Sequence, residues 1–217
     1  MATTGSPRRP PIEGPPIRLA VCVSGGGTTL QNLADRIGVG QLRASVVRVV
    51  ASKGGIGAIG RAERLGIPVS VVERKGRSLG EFSSAVFEPI RRDGADLVVL
   101  GGFLALVDIP DDYQGRVINV HPSLIPAFSG KGMHGLAVHR AAIESGVKLS
   151  GCTVHFADAT YDTGPIIFQS PVPVLNSDTP ETLAARVFEA ECEALPEAIE
   201  LYAAGKLRVD GRRVAIL

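Results

Sequence analysis

From residue 17 to about residue 150, short apolar runs alternate with longer stretches of helical period. The runs at 19–23, 46–51, 69–72, 97–100 and 117–120 are mostly apolar and rich in valine and leucine, as expected of strands buried on both faces. Between them, helical patterns lie near 29–37, 57–65 and 80–92, with a further helical turn expected over 103–107. Strand–helix alternation of this kind predicts an α/β fold built on a single doubly wound, mostly parallel sheet. After residue 150 the character changes. Residues 153–156 and 166–174 read as adjacent strands, and Pro171 and Pro173 push the second towards a sheet edge. A long helix is expected over 181–204. The last residues, 206–217, read as a hairpin turning on Asp210-Gly211, which gives the fold an antiparallel C-terminal part. No internal repeat appears. Prolines at 7, 10, 11, 15 and 16, with no apolar stretch among them, predict a disordered tail over 1–16 followed by one domain over 17–217.

The fifth predicted strand ends oddly. Residues 117–126 read V-I-N-V-H-P-S-L-I-P, so Asn119 and His121 interrupt a buried run, and Pro122 stops it. Side chains two apart on a strand share a face, which sets an amide and an imidazole side by side. Such a pair can face a developing oxyanion and move a proton. The plainer alternative is that nearby loop backbone satisfies both. Downstream, H-F-A-D-A-T-Y-D-T-G-P-I-I places Asp158 and Asp162 in a loop between two strands. A carboxylate there could reach His121 and favour its charged form, although both aspartates are also good turn-formers.

Three glycine-rich turns compete for a ligand. The first, S-G-G-G-T-T-L-Q, follows strand one and opens a helix, so its backbone N–H groups suit a phosphate. It lacks the Gly-Lys-Ser/Thr of a Walker loop and the third glycine of the dinucleotide fingerprint; a tight turn with no ligand is the alternative. The second, residues 55–60, is a formal G-x-G-x-x-G, but it follows strand two rather than strand one, and Glu81, about 20 residues on, lies in a helical pattern rather than at a strand end. Turn chemistry explains it at least as well as a nucleotide. The third, Gly101-Gly102-Phe103-Leu104, ends strand four, where open sheets bind ligands. Its apolar continuation suits a flat ring or a core turn equally.

One residue breaks its own helix. At 100° per residue, Leu183, Val187, Phe188, Leu195, Ile199 and Tyr202 fill an arc of roughly 160°. Glu191 falls in the middle of that arc, whereas Glu189, Glu193, Glu197 and Glu200 lie outside it. A carboxylate there needs an arginine of the protein or a hydroxyl or amine of a ligand; violations of a binary pattern tend to mark functional sites.

Composition narrows the classes. Hydrophobic residues at 45% and charged residues at 21% are ordinary for a globular chain. A net charge of +1 without a basic run argues against nucleic acid. No apolar segment approaches the roughly 18–20 residues of a membrane span. Cys22, Cys152 and Cys192 are widely spaced and odd in number, so no disulfide framework is indicated. His134 and His139 sit five apart on a helical stretch, poor for sharing a metal. The expectation is a cytosolic protein of small-molecule partners with no nucleic acid, membrane or metal; a homodimer is left open.

Taken together, S-G-x-G-T, G-G-F-L, I-N-V-H-P-S-L-I-P, V-H-F-x-x-x-x-x-D-T-G-P-I-I and A-R-V-F-E-A-E resemble, in order from about residue 17 to residue 207, the phosphoribosylglycinamide formyltransferases of purine synthesis. The resemblance implies a Rossmann-like formyltransferase fold and formyl transfer from 10-formyltetrahydrofolate, a co-substrate, to a primary amine. It implies Asn119, His121 and Asp162 as the catalytic trio. Gly25, Gly26, Gly27, Thr28 and Thr29 would hold the ribose phosphate, and Glu191 the glycinamide or ribose end. Leu104, Ala105, Leu106 and Val107, with Asp158, Ala159, Thr160 and Tyr161, would grip the pterin, largely through main-chain groups. Three departures stand out: Thr28-Thr29 replaces the family's Ser/Thr-Asn, Ala105 replaces a common arginine, and residues 128–134 are longer than the usual Pro-Gly version. With Asp162 beside it, His121 is expected to titrate above the ordinary value of about 6.5. Methionyl-tRNA formyltransferase and formyltetrahydrofolate hydrolase share this catalytic part, but each calls for a further domain that 217 residues leave no room for. A sugar-amine formyltransferase and a nucleotide-binding oxidoreductase resting on residues 55–60 are the remaining alternatives.

Overall fold

The structure, a computed structural model, describes residues 14–217. Most of the expected N-terminal tail, residues 1–13, therefore lies outside the described residues; Gly14, Pro15 and Pro16 are exposed and belong to no helix or strand. The elements follow in the order β1 (Ile17–Val23), α1 (Thr28–Gly38), β2 (Ala44–Ala51), α2 (Gly57–Arg64), β3 (Val69–Val71), α3 (Leu79–Arg92), β4 (Leu97–Leu100), β5 (Val117–His121), α4 (Leu136–Glu144), β6 (Leu149–Phe156), β7 (Ile166–Pro173), α5 (Pro180–Ala203), β8 (Leu207–Asp210) and β9 (Arg213–Ile216). A short 3-10 turn, Asp111–Tyr113, precedes β5.

Seven strands form one sheet in the order β3-β2-β1-β4-β5-β6-β7. Strands β1 to β5 run parallel, whereas β6 and β7 are antiparallel to their neighbours. The proline-bearing β7 is an edge strand, where missing N–H groups do no harm. Alternate residues of the central strands feed two cores. Leu19, Val21, Val49, Val99 and Ile118 pack under α1, α2, α4 and α5. Ala20, Cys22, Val50, Val98 and Val117 pack under α3, against Phe82, Val86, Phe87 and Ile90. Helices on both faces make the sheet doubly wound, and the strand order reverses between β1 and β4, where ligands bind outside the carboxyl ends.

Two helices start on strong caps. Ser78 and Glu81 close a capping box on α3, and Thr179 and Thr182 do so on α5. The C-terminal hairpin β8–β9 forms its own small sheet, with Gly211 at φ +57 in its turn.

The helical turn expected over 103–107 is absent: the segment has no regular structure. Ser24 donates its N–H to the Gly102 carbonyl (3.1 Å) and accepts the Leu104 N–H on its hydroxyl (2.9 Å), which pins the chain in an open path. Phe103 and Val107 both bury beneath the α3 layer, and that four-residue interval mimicked a helix. His134 likewise precedes α4 rather than lying on a helix.

Candidate active site

A cleft of about 690 Å³ crosses the carboxyl edge of the sheet. Residues 25–29 after β1, 100–107 after β4, Asn119 and His121 from β5, and Ala184, Phe188 and Glu191 from α5 all line it. Asp158, Thr160, Tyr161 and Asp162 line it too, whereas Ala159 is exposed and does not. Of the residues that the resemblance assigned to the site, Ala159 alone is left out of the cleft wall, and the glycine-rich turn 55–60 also lies outside it.

The polar centre follows from the β5–β6 register. Asn119 pairs with His155 and His121 with Thr153 across antiparallel strands, so all four share a face. His155 Nδ1 donates to the Phe156 carbonyl (2.8 Å), which leaves Nε2 to accept an N–H from Asn119 (3.1 Å). The second N–H of Asn119 goes to Asp162 Oδ1 (3.2 Å). His121 donates from Nε2 to the Phe128 carbonyl (2.9 Å), while its Nδ1 lies 3.4 Å from Asp162 Oδ2. Thus Asp162, not Asp158, is the carboxylate that meets the histidines. Asp158 instead accepts from Thr160 N–H (3.1 Å) and from the Thr163 hydroxyl (2.7 Å), as a turn-former does.

The loops that deliver these groups are tightly fixed. The Thr153 hydroxyl donates to the Ser123 carbonyl (2.7 Å) and accepts from Ile125 N–H (3.1 Å), folding the H-P-S-L-I-P turn back onto β6. That fold returns the Phe128 carbonyl to His121. Asp162 sits at φ +59, a left-handed conformation that costs a non-glycine residue about 1 kcal/mol or more. The Gly130 N–H on Oδ2 (2.9 Å) and the Asn119 contact offset it. Two residues on, a Cβ at Gly164 would lie 1.8 Å from the Phe156 carbonyl oxygen, so the D-T-G-P turn admits only glycine there.

Electrostatics depart from expectation at His121. Burial pulls its pKa down, and although Asp162 and the Phe128 carbonyl raise it, the net direction is below the ordinary value. At 3.4 Å the Asp162 contact is too long for a strong charge-assisted bond. Burial raises Asp162, but the contact with His155, the charge of His121 and the Gly130 N–H together hold it below the usual carboxylate range. His139, on α4 in the cleft wall, is also lowered by burial, and its Nδ1 has no partner among the described residues. Glu191 is the opposite case. Burial pushes it up to about 7, and no arginine or other hydrogen-bond partner meets it among the described residues. The protein-side partner that a mid-arc carboxylate calls for is missing among the described residues, and the carboxylate lines the cleft instead.

Several site residues were not singled out from sequence. His155 reads as core in T-V-H-F, and only strand register brings it to Asn119. The longer stretch 128–134, by contrast, stood out in sequence, and its residues 130–134 line the cleft with Gly135 and Leu136; Lys131 is the one lysine or arginine among the lining residues. Among the described residues no group of three or more His, Cys, Asp or Glu is close enough to hold a metal ion, and no helix is long and apolar enough to cross a membrane.

The family pattern described as formyl transferase matches residues 17–199. The chain belongs to the formyl transferase family. A crystal structure of glycinamide ribonucleotide transformylase 1 from Symbiobacterium toebii superposes with a TM-score of 0.86 at 39% identity, covering 98% of this chain and 100% of that one. The chloroplastic phosphoribosylglycinamide formyltransferase of Arabidopsis thaliana is 40% identical over 84% of this chain and 64% of its own length. The trifunctional purine biosynthetic protein adenosine-3 of Gallus gallus is 40% identical over 91% of this chain but only 20% of its own length. The chain thus spans a fifth of the trifunctional relative and just under two thirds of the plant one.

Proposed function

We propose that this formyl transferase moves the formyl group of 10-formyltetrahydrofolate to the primary amine of phosphoribosylglycinamide. One observation carries the reading: Asn119, His121, His155 and Asp162 meet in a cleft that also presents two sets of groups of different chemistry. One set is the N–H groups of residues 25–29, where Gly27 leads into α1 without a side-chain cap, and the carboxylate of Glu191. It suits a phosphate and a ribose or glycinamide group. The other set is Phe103, the irregular backbone of 104–107 and the loop around Tyr161, whose hydroxyl reaches the Leu104 carbonyl (3.4 Å). It suits a flat ring with hydrogen-bonding edges. The glycinamide ribonucleotide transformylase that superposes at 39% identity supports this acceptor over other amines.

In this reading the acceptor nitrogen attacks the formyl carbon, its proton leaves, and the bond from that carbon to the folate nitrogen breaks as that nitrogen takes up a proton. Charge gathers on the formyl oxygen on the way. His121 meets it through Nδ1, because Nε2 is held by Phe128. Burial favours the neutral ring beforehand, and the developing anion favours the charged one, so protonation is coupled to the reaction. Asn119 is engaged twice through its N–H groups; it reaches the oxyanion by releasing the contact to Asp162 or to His155. Asp162 supplies the counter-charge.

The test is an assay of purified protein with 10-formyltetrahydrofolate and a panel of amines. Formylation of phosphoribosylglycinamide without added nucleotide is expected. A requirement for ATP, or faster turnover of a nucleotide-linked amino sugar, would sink the reading.

A further inference from the structure

The G-x-G-x-x-G segment, residues 55–60, lines no part of the cleft, yet it packs directly behind residues 25–27. Ala58 donates its N–H to the Gly25 carbonyl (3.2 Å). A Cβ on Gly27, which has φ +78, would lie 2.7 Å from the Ala58 Cβ, and one on Gly57 would lie 3.5 Å from the Gly26 Cα. The two glycine turns therefore meet backbone to backbone. From the next turn of α2, Arg61 Nε donates to the Gly26 carbonyl (2.9 Å), and Nη1 donates to Gln31 Oε1 (3.2 Å) on the first turn of α1. Among the described residues Arg61 forms no ion pair, so none of their carboxylates neutralises its charge behind the loop. A trans peptide is planar, with its N–H opposite its C=O. Holding the Gly26 carbonyl towards Arg61 thus turns the Gly27 N–H the other way.

From these contacts we propose that Arg61 is a positioning residue for the acceptor's phosphate: its guanidinium fixes the orientation of the residue 26–27 peptide and places a positive charge behind the loop. The inference rests on reading residues 25–29 as the phosphate site. The G-x-G-x-x-G segment then serves as a buttress for the anion loop rather than as a second nucleotide site.

The test compares Arg61→Ala and Arg61→Lys with the parent on two acceptors, phosphoribosylglycinamide and its dephosphorylated ribonucleoside, with melting temperatures recorded to verify folding. For Arg61→Ala the KM of the phosphorylated acceptor should rise about tenfold, as when one charge-assisted contact is lost, with kcat and the folate KM within about twofold of the parent. The dephosphorylated acceptor should be used equally by all three proteins. Arg61→Lys, which keeps the charge but not the two-point grip, should fall between. An equal loss on both acceptors, a shifted folate KM or an unchanged KM overturns the role of Arg61 alone. A parent that does not distinguish the two acceptors overturns the phosphate reading of the loop, and the role of Arg61 with it.

Discussion

At the scale of single residues the site turns on a competition between burial and charge. His121 sits between two acceptors, yet burial leaves its pKa below the ordinary value, with Asp162 as the main opposing influence. Removing that influence by Asp162→Asn should lower the His121 pKa further, read by NMR titration of the imidazole. The same variant should reduce kcat by about a hundredfold, the lower range for loss of acid–base assistance. An imidazole that titrates as in the parent would show that Asp162 does not govern it, and the site would have to be redrawn around His155. Glu191 invites a different variant. In Glu191→Gln the acceptor KM should rise while the folate KM holds, because Glu191 belongs to the α5 wall with Phe188 and Ala184 and not to the 103–107 segment read as the folate's. Equal effects on both substrates would argue against acceptor binding.

At the scale of elements, α5 carries Glu191 to the cleft, and its first turn is anchored by Asp178. That carboxylate accepts from Leu175 N–H (2.7 Å) and the Thr182 hydroxyl (2.9 Å) and pairs with Arg186 through two N–H bonds of 2.8 Å. Asp178→Ala should destabilise the protein by about 2 kcal/mol, or about 5 °C in melting temperature, with little change in the KM values of the folded enzyme. An unchanged melting temperature would mean that the Thr179 cap alone holds the helix. The elements were largely legible from sequence because buried parallel strands are near-continuous apolar runs: residues 19–23 of β1 and all of β4 have that form, and residues 46–51 of β2 and all of β5 keep it but for Arg48 in the one and Asn119 and His121 in the other. Glu191 was legible for the complementary reason, as a charge set into an apolar arc. What sequence hides is whatever depends on register or on main-chain atoms. His155 looks like any core residue until β6 pairs with β5, and the Phe128 carbonyl has no side-chain signature at all. The segment 103–107 misled because Phe103 and Val107 bury at a helical interval for reasons unrelated to a helix.

At the scale of the whole molecule, the buried titratable groups of the cleft oppose one another in the pH dependence of stability. Glu191 is raised from 4.5 to about 7, so folding favours its protonated form. Its contribution is fully present below about 4.5 and is lost as the pH rises through 7. Between those limits it amounts to at most about 3 kcal/mol, at 1.36 kcal/mol per pKa unit. His121 and His139 are lowered by burial, so folding favours their neutral forms. Their contribution is present above about 6.5 and is lost as the pH falls through their folded values. Asp162 and Asp178 are also lowered, and what they add is lost only in stronger acid. From pH 8 to pH 5, then, Glu191 and the two histidines pull the stability of the parent in opposite directions. Glu191→Gln removes the gaining partner alone. Urea unfolding at pH 8 should find the variant more stable than the parent, since no buried carboxylate has to be held ionised. At pH 5 that advantage should vanish, because the parent has taken up its proton while the histidines of both proteins resist theirs. A difference between parent and variant that stays constant from pH 8 to pH 5 would mean that Glu191 does not titrate in this range, and the cleft would then hold an ionised carboxylate even before an acceptor arrives.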